Sequence, residues 1–165
     1  MWHLIDADRI HVDAAQGWLG LGNWREANEE LDRIPPRLRA HPEVLKVRYA
    51  IHAKAEQWDL ALEIAQDLSA ALPHNSFGFV YSAYALHRLN RTEEAYQMLR
   101  PVMERFPEDV SIRYDLACYA CKTGNLKDAI SHLERAIDLA ATRDIRLKAL
   151  DDPALEKLWV DISEI

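Results

Sequence analysis

Glycine is scarce in this chain, at five in 165 residues, which disfavours a fold rich in tight turns and sheet corners. A basic surplus is missing as well. Lys and Arg number 20 against 27 Asp and Glu, for a net charge of −7. No cationic stripe is at hand to neutralise a run of phosphates, so nucleic acid is not an expected partner. Long apolar runs are also absent. The longest mostly apolar stretch, Phe77 to Leu86, is too short to cross a bilayer, and no membrane role is expected. Only two cysteines occur, Cys118 and Cys121, which fits a reducing compartment and argues against a disulfide framework. The opening residues Met1 to Asp8 show neither the basic flank nor the apolar core of a secretion signal. The expected location is therefore the cytoplasm.

What the chain does contain is periodicity. Ala27, Ala61, Ala95 and Ala129 recur every 34 residues. Four residues after each come Leu31, Ala65, Leu99 and Leu133, and three further on Ile34, Leu68, Val102 and Ala136. Steps of four and three place each trio on one helical face. Upstream of each alanine is a polar turn: Gly22-Asn23, Glu56-Gln57, Asn90-Arg91 and Gly124-Asn125. Gly and Asn enter the left-handed conformation that ends one helix before the next. Glu56 departs from that pattern, so its turn is expected to be strained or closed differently. Seven residues before the turns stand Ala15, Tyr49, Ala83 and Ala117. Small residues there let two helices approach closely, and Tyr49 predicts a second pair that is splayed or repacked. Prolines at Pro35-Pro36, Pro73 and Pro107 stop the second helix of three units.

With Trp24 and Trp58 three residues before the first two alanines, this combination of small residue, turn, aromatic, alanine, apolar residue and proline resembles the tetratricopeptide repeat, over about residues 8 to 141. HEAT and armadillo units are longer, and pentatricopeptide-type RNA readers do not suit the acidic charge. The resemblance implies an all-α fold, a right-handed solenoid of four antiparallel helix pairs with a C-terminal cap. As one domain over residues 1–165, its units would be 8–41, 42–75, 76–109, 110–141 and a capping segment at 142–165. Thr142 is read as the cap of a helix through Leu150, and Asp152-Pro153 as the start of another through Ile162. Leu155, Leu158 and Trp159 are expected to cover the apolar end of the fourth unit.

Motifs for chemistry are weak. Gly17, Gly20 and Gly22 end a helix, whereas a phosphate loop opens one after a strand. Cys118 and Cys121 form a C-x-x-C inside a helix with no second ligand pair, and the seven histidines show no pairing at helical spacing. Acidic pairs such as Glu29-Glu30, Glu93-Glu94 and Asp151-Asp152 fall at helix starts or on wet faces, where carboxylates make poor general acids. No catalytic residue, metal or cofactor is expected.

In the resembled family the first helix of each pair lines a concave groove, and that implies a binding stripe here. Its members are Val12 and Gln16 in the first unit, Lys46 in the second, Phe77, Val80, Tyr84, His87 and Arg88 in the third, and Tyr114 and Lys122 in the fourth. A related subclass clamps the acidic C-terminus of heat-shock chaperones. Here its positions hold Val12, Gln16, Val47, Phe77 and Tyr81, which cannot grip two carboxylates. The expected function is an adaptor or scaffold that binds a peptide segment or helix. Self-association and a small-molecule or catalytic role around Tyr84, His87 and Cys118 are the alternatives.

Overall fold

The computed structural model of the protein describes residue 4, residues 6–140 and residues 144–164, so the expected cap at Thr142 lies outside the described residues. The fold is helical, and no strand occurs among the described residues. The α-helices are α1 (Asp6–Gly20), α2 (Trp24–Asp32), α3 (Pro42–Lys54), α4 (Trp58–Ala71), α5 (Phe77–Arg88) and α6 (Thr92–Arg105). They continue as α7 (Val110–Thr123), α8 (Leu126–Ala140), α9 (Asp144–Asp151) and α10 (Trp159–Glu164). Short 3-10 helices occupy Pro36–Leu38 and Pro153–Leu158. Two compact units divide the chain, Met1–Ala85 and Leu86–Ile165, with the boundary inside α5.

The repeat spacing translates directly into turns. Gly22, Glu56, Asn90 and Gly124 have φ of 79°, 57°, 62° and 88°. All four stand in the left-handed region at the same place in the repeat. Glycine adopts it freely and asparagine readily, whereas Glu56 does so at a cost of about 1 kcal/mol. The turn at Glu56 thus closes in the same way as its counterparts and bears the strain.

In the first compact unit, α1, α2 and α3 share a core of Val12, Ala15, Ala27, Leu31, Ile34, Leu38, Val44, Val47 and Ile51. The proline-rich link to α3 contributes Leu38 to that core. Arg39 secures it by donating to the carbonyl oxygens of Ile34 at 3.2 Å and Asp32 at 3.0 Å. The Asp32 carbonyl is one of those left unpaired when α2 ends. Pro42 then opens α3, capped by His41 Nδ1, which accepts from the Glu43 amide at 3.3 Å.

Tyr49 is buried, and the second helix pair is repacked around it. A second cluster joins Tyr49 to Ala61, Ala65 and Ala85. Where the other three repeats pair an alanine on the first helix with a leucine on the second, this repeat carries Tyr49 with Ala65. A large side chain on one helix is matched by a small one on the other. The Tyr49 ring stacks on Tyr81 with centroids 4.3 Å apart, and its hydroxyl donates to the Tyr81 carbonyl at 3.2 Å. Close approach of α5 to α4 depends on Gly78. A Cβ there would lie 2.7 Å from Ser69 Cα and closer still to the Ser69 amide nitrogen.

In the second compact unit α7 packs against α6 and α8, and the C-terminal 3-10 helix lies on α7. Leu155, Leu158 and Ile162 are fully buried, whereas Trp159 is 36% exposed. Trp159 therefore does not supply the cover expected of it. The reason is local geometry: residues i and i+3 eclipse in a 3-10 helix, so Leu155 and Leu158 align and Trp159 turns aside. Ile162 of α10 completes the buried face.

Candidate functional site

Corresponding positions along the first helices do not share one environment. Val12, Lys46, Val80 and Tyr114 are equivalent by the repeat spacing, as are Gln16, Ala50, Tyr84 and Cys118. Gln16, Ala50 and Tyr84 are exposed, while Cys118 is buried. Val12 is 3% exposed and belongs to the core of the first compact unit, not to an open face. Lys46 and Val80 are half-buried.

The open part of the stripe in the first compact unit lies on α5. Phe77 is 44% exposed and Tyr84 40%. Neither ring is loose. Trp58, the first residue of α4, meets Tyr84 edge-on at 5.6 Å, and Phe77 stacks on Tyr81 at 6.3 Å. Lys46 from α3 holds its ammonium 4.5 Å from the Phe77 ring centroid. That distance is within reach of a cation–π attraction. The result is a prepositioned apolar surface with a cationic edge.

In the second compact unit the equivalent face of α7 is covered by the chain itself. The Tyr114 hydroxyl donates to Asp152 Oδ2 at 2.8 Å, and the Cys118 thiol approaches the same oxygen at 3.8 Å. Asp152 Oδ1 accepts from the Ala154 amide at 2.8 Å, which caps the 3-10 helix that follows. One carboxylate thus both starts the segment and fastens it to α7. Lys148 of α9 sits 3.9 Å from the Tyr114 ring centroid. Tyr114 is therefore buried under the C-terminal segment and is not an open groove residue.

The covered face is electrostatically unusual. Burial first, then the neighbouring Asp109 and Asp152, push the Asp115 carboxyl up to about 7, although Lys148 pulls the other way. A proton on Asp115 therefore favours the packed state. That contribution is complete below the ordinary carboxylate range and is lost as pH rises through about 7. Burial and the Asp152 carboxylate raise the Cys118 thiol well above its usual range, and burial raises Cys121 too. Neither is poised as a nucleophile. His87 Nδ1 lies 2.9 Å from Thr92 Oγ1 and its ring 5.2 Å from that of Tyr119. Burial, with Lys122 and Arg88 nearby, holds the imidazole below the ordinary histidine range. Arg88 and Lys122 are exposed.

Among the described residues no group of three or more His, Cys, Asp or Glu side chains could hold a metal ion. No helix among them is long and apolar enough to cross a membrane. The fastening of Asp152 to Tyr114 was not legible in the sequence. The aspartate reads there only as a helix cap, and nothing in its spacing points to a tyrosine 38 residues away.

Residues 83–150 match the family model of the tetratricopeptide repeat. Solved structures share the fold at low identity. The "MamA RS-1 ArsTM double mutant" superposes with a TM-score of 0.70 at 18% identity, covering 83% of this chain and 77% of that one. TTC0263, described as a thermophilic TPR protein in Thermus thermophilus, gives 0.72 at 20% identity, covering 94% and 82%. MamA from residue 41 to its end, from Desulfovibrio magneticus RS-1, gives 0.52 at 18% identity, covering 86% and 99%. No curated protein matches the chain in sequence.

Proposed function

We propose that this tetratricopeptide-repeat chain is an adaptor or scaffold that holds a peptide segment or helix of another protein against the groove face of its first helices. Repeats of this kind serve in general as protein-interaction modules without catalytic activity. The observation that supports the finer reading is the exposed pair Phe77 and Tyr84 on α5, held in place by Tyr81 and Trp58 and flanked by Lys46. Rigid aromatic anchors beside a polar rim are what concentrates binding energy at protein interfaces. Val80 contributes further apolar surface between them, and Gln16 and Lys46 of the same compact unit supply polar and cationic groups for selectivity, while His87, Arg88 and Lys122 are exposed or half-buried stripe positions of the second unit. Val12 is left out, being core, and Tyr114 is spoken for by Asp152.

Self-association is a second reading, favoured by one observation. On α1 and the turn that follows it, Ile10 is 65% exposed, Trp18 38% and Leu21 78%. An apolar patch of that kind can serve as a contact between copies. A mass that climbs with concentration in light scattering would support it over the adaptor reading.

The direct test is selection of peptides from a display library against the intact protein, followed by titration calorimetry. Tyr84→Ala should weaken the selected peptides by about 1 to 3 kcal/mol, as loss of an aromatic anchor does. Thermal stability should change little, because Tyr84 is substantially exposed. Unchanged affinity, or unfolding of the variant, would count against the assignment.

A further inference from the structure

The C-terminal segment meets α7 in the way a bound peptide would. We propose that the groove face of α7 is a docking site for an acidic-then-aliphatic peptide segment, and that Asp152–Ile162 is its resident occupant, standing where a partner protein's segment of the same chemistry would sit. The inference rests on reading the groove faces as binding surfaces. It goes beyond that reading by naming a second site and the partner's chemistry.

Three observations carry it. At one repeat position Gln16, Ala50 and Tyr84 are exposed and only Cys118 is buried, because the C-terminal segment lies over it. The segment is anchored through one carboxylate at its start, with Asp152 Oδ2 accepting from Tyr114 and Oδ1 capping its own helix. Its apolar grip then comes from Leu155, Leu158 and Ile162, all fully buried. A carboxylate followed by apolar side chains on one face is a compact recognition unit, with the charge setting register and the aliphatics supplying area.

The surroundings define what a competitor must carry. Asp115 opposes an incoming carboxylate, and Lys148, four residues before Asp152, offsets it. On the receiving side, Tyr114 donates a hydrogen bond. The fitting partner thus presents a basic residue, then an aspartate opening a 3-10 turn, then aliphatics three, six and ten residues beyond it. This is the pattern Lys148, Asp152, Leu155, Leu158, Ile162.

Cys118 and Cys121 are the only thiols of the chain, and both are buried. Labelling by a small maleimide therefore reports opening of the segment in the full-length protein. Leu155→Ala and Leu158→Ala leave the charges around Cys118 untouched. Each should speed its labelling at least about 10-fold, at urea concentrations too low to unfold the protein, as local opening does. A synthetic peptide of residues 147–164 added in excess should restore slow labelling. A control peptide with Asp152, Leu155 and Leu158 all replaced by Ala should not. Equal labelling rates in wild type and variants, or no protection by the peptide, would overturn the proposal.

Should both variants fail to fold, fluorescence anisotropy of the labelled peptide with the wild-type chain decides instead. Saturable binding that is weakened by Tyr114→Phe supports the site, and absence of binding overturns it. Loss of this peptide's binding with Tyr84-dependent peptides still captured would sink the α7 site alone. The reverse outcome would sink the α5 surface alone.

Discussion

A chain cut after Ala140 is expected to lose most of its stability and to aggregate. The cut removes Leu155, Leu158 and Ile162, which are fully buried, and strips the cover from Tyr114, Cys118 and Cys121 on α7. Burial of three such aliphatics contributes on the order of 6 kcal/mol. Release of the segment's backbone regains part of that as conformational entropy. The remainder is still a large fraction of the roughly 5 to 15 kcal/mol that holds a domain folded. Thermal melts followed by circular dichroism, with light scattering alongside, check this. A truncated protein that stayed soluble and melted within a few degrees of the full chain would show that the segment is not structural cover.

Tyr49→Ala should cost about 3 to 5 kcal/mol in urea denaturation, the range for truncating a buried aromatic. Tyr49 is 6% exposed, its ring stacks on Tyr81, and it shares a cluster with Ala61, Ala65 and Ala85. Tyr49→Phe should cost only about 1 kcal/mol, for the hydrogen bond to the Tyr81 carbonyl. The sharper expectation concerns the pair. Ala65→Leu alone overpacks and should destabilise by about 1 to 3 kcal/mol. Added to Tyr49→Ala, the same substitution should recover stability, because it recreates the alanine-with-leucine combination of the other three repeats. If it instead destabilises further, the size exchange between the two helices is not what fits Tyr49 into the fold.

The helical fold was readable because its signals are local. The 34-residue spacing fixed where chain reversals fall, and Gly22, Glu56, Asn90 and Gly124 share a left-handed backbone at those places. Even the odd member, Glu56, stands out by its chemistry as a turn either strained or closed differently, and its φ of 57° shows the former. Asp152 was readable as the start of a helical segment for the same reason. What escaped depends on contacts between residues far apart in sequence. Trp159 looks equivalent to Leu158 on an α-helical wheel, but Pro153–Leu158 winds as a 3-10 helix and leaves Trp159, the first residue of α10, 36% exposed. Tyr114 and Val12 occupy stripe positions by spacing, yet one lies beneath Asp152 and the other inside the first core. Periodicity gives the face of a residue and not what lies across from it. Gly78 carries no sequence signal because its role is to admit Ser69, and an absent side chain leaves no pattern.

The central claim is that a partner segment seats on the groove face of α5, and hydrogen exchange measured on the intact protein tests it most directly. With and without a saturating peptide taken from the display selection, amides of Phe77–Arg88 should exchange more slowly in the complex. Protection there should disappear in Tyr84→Ala at the same peptide concentration. A saturating peptide that protects only α2 and α4, leaving α5 unchanged, would contradict the claim.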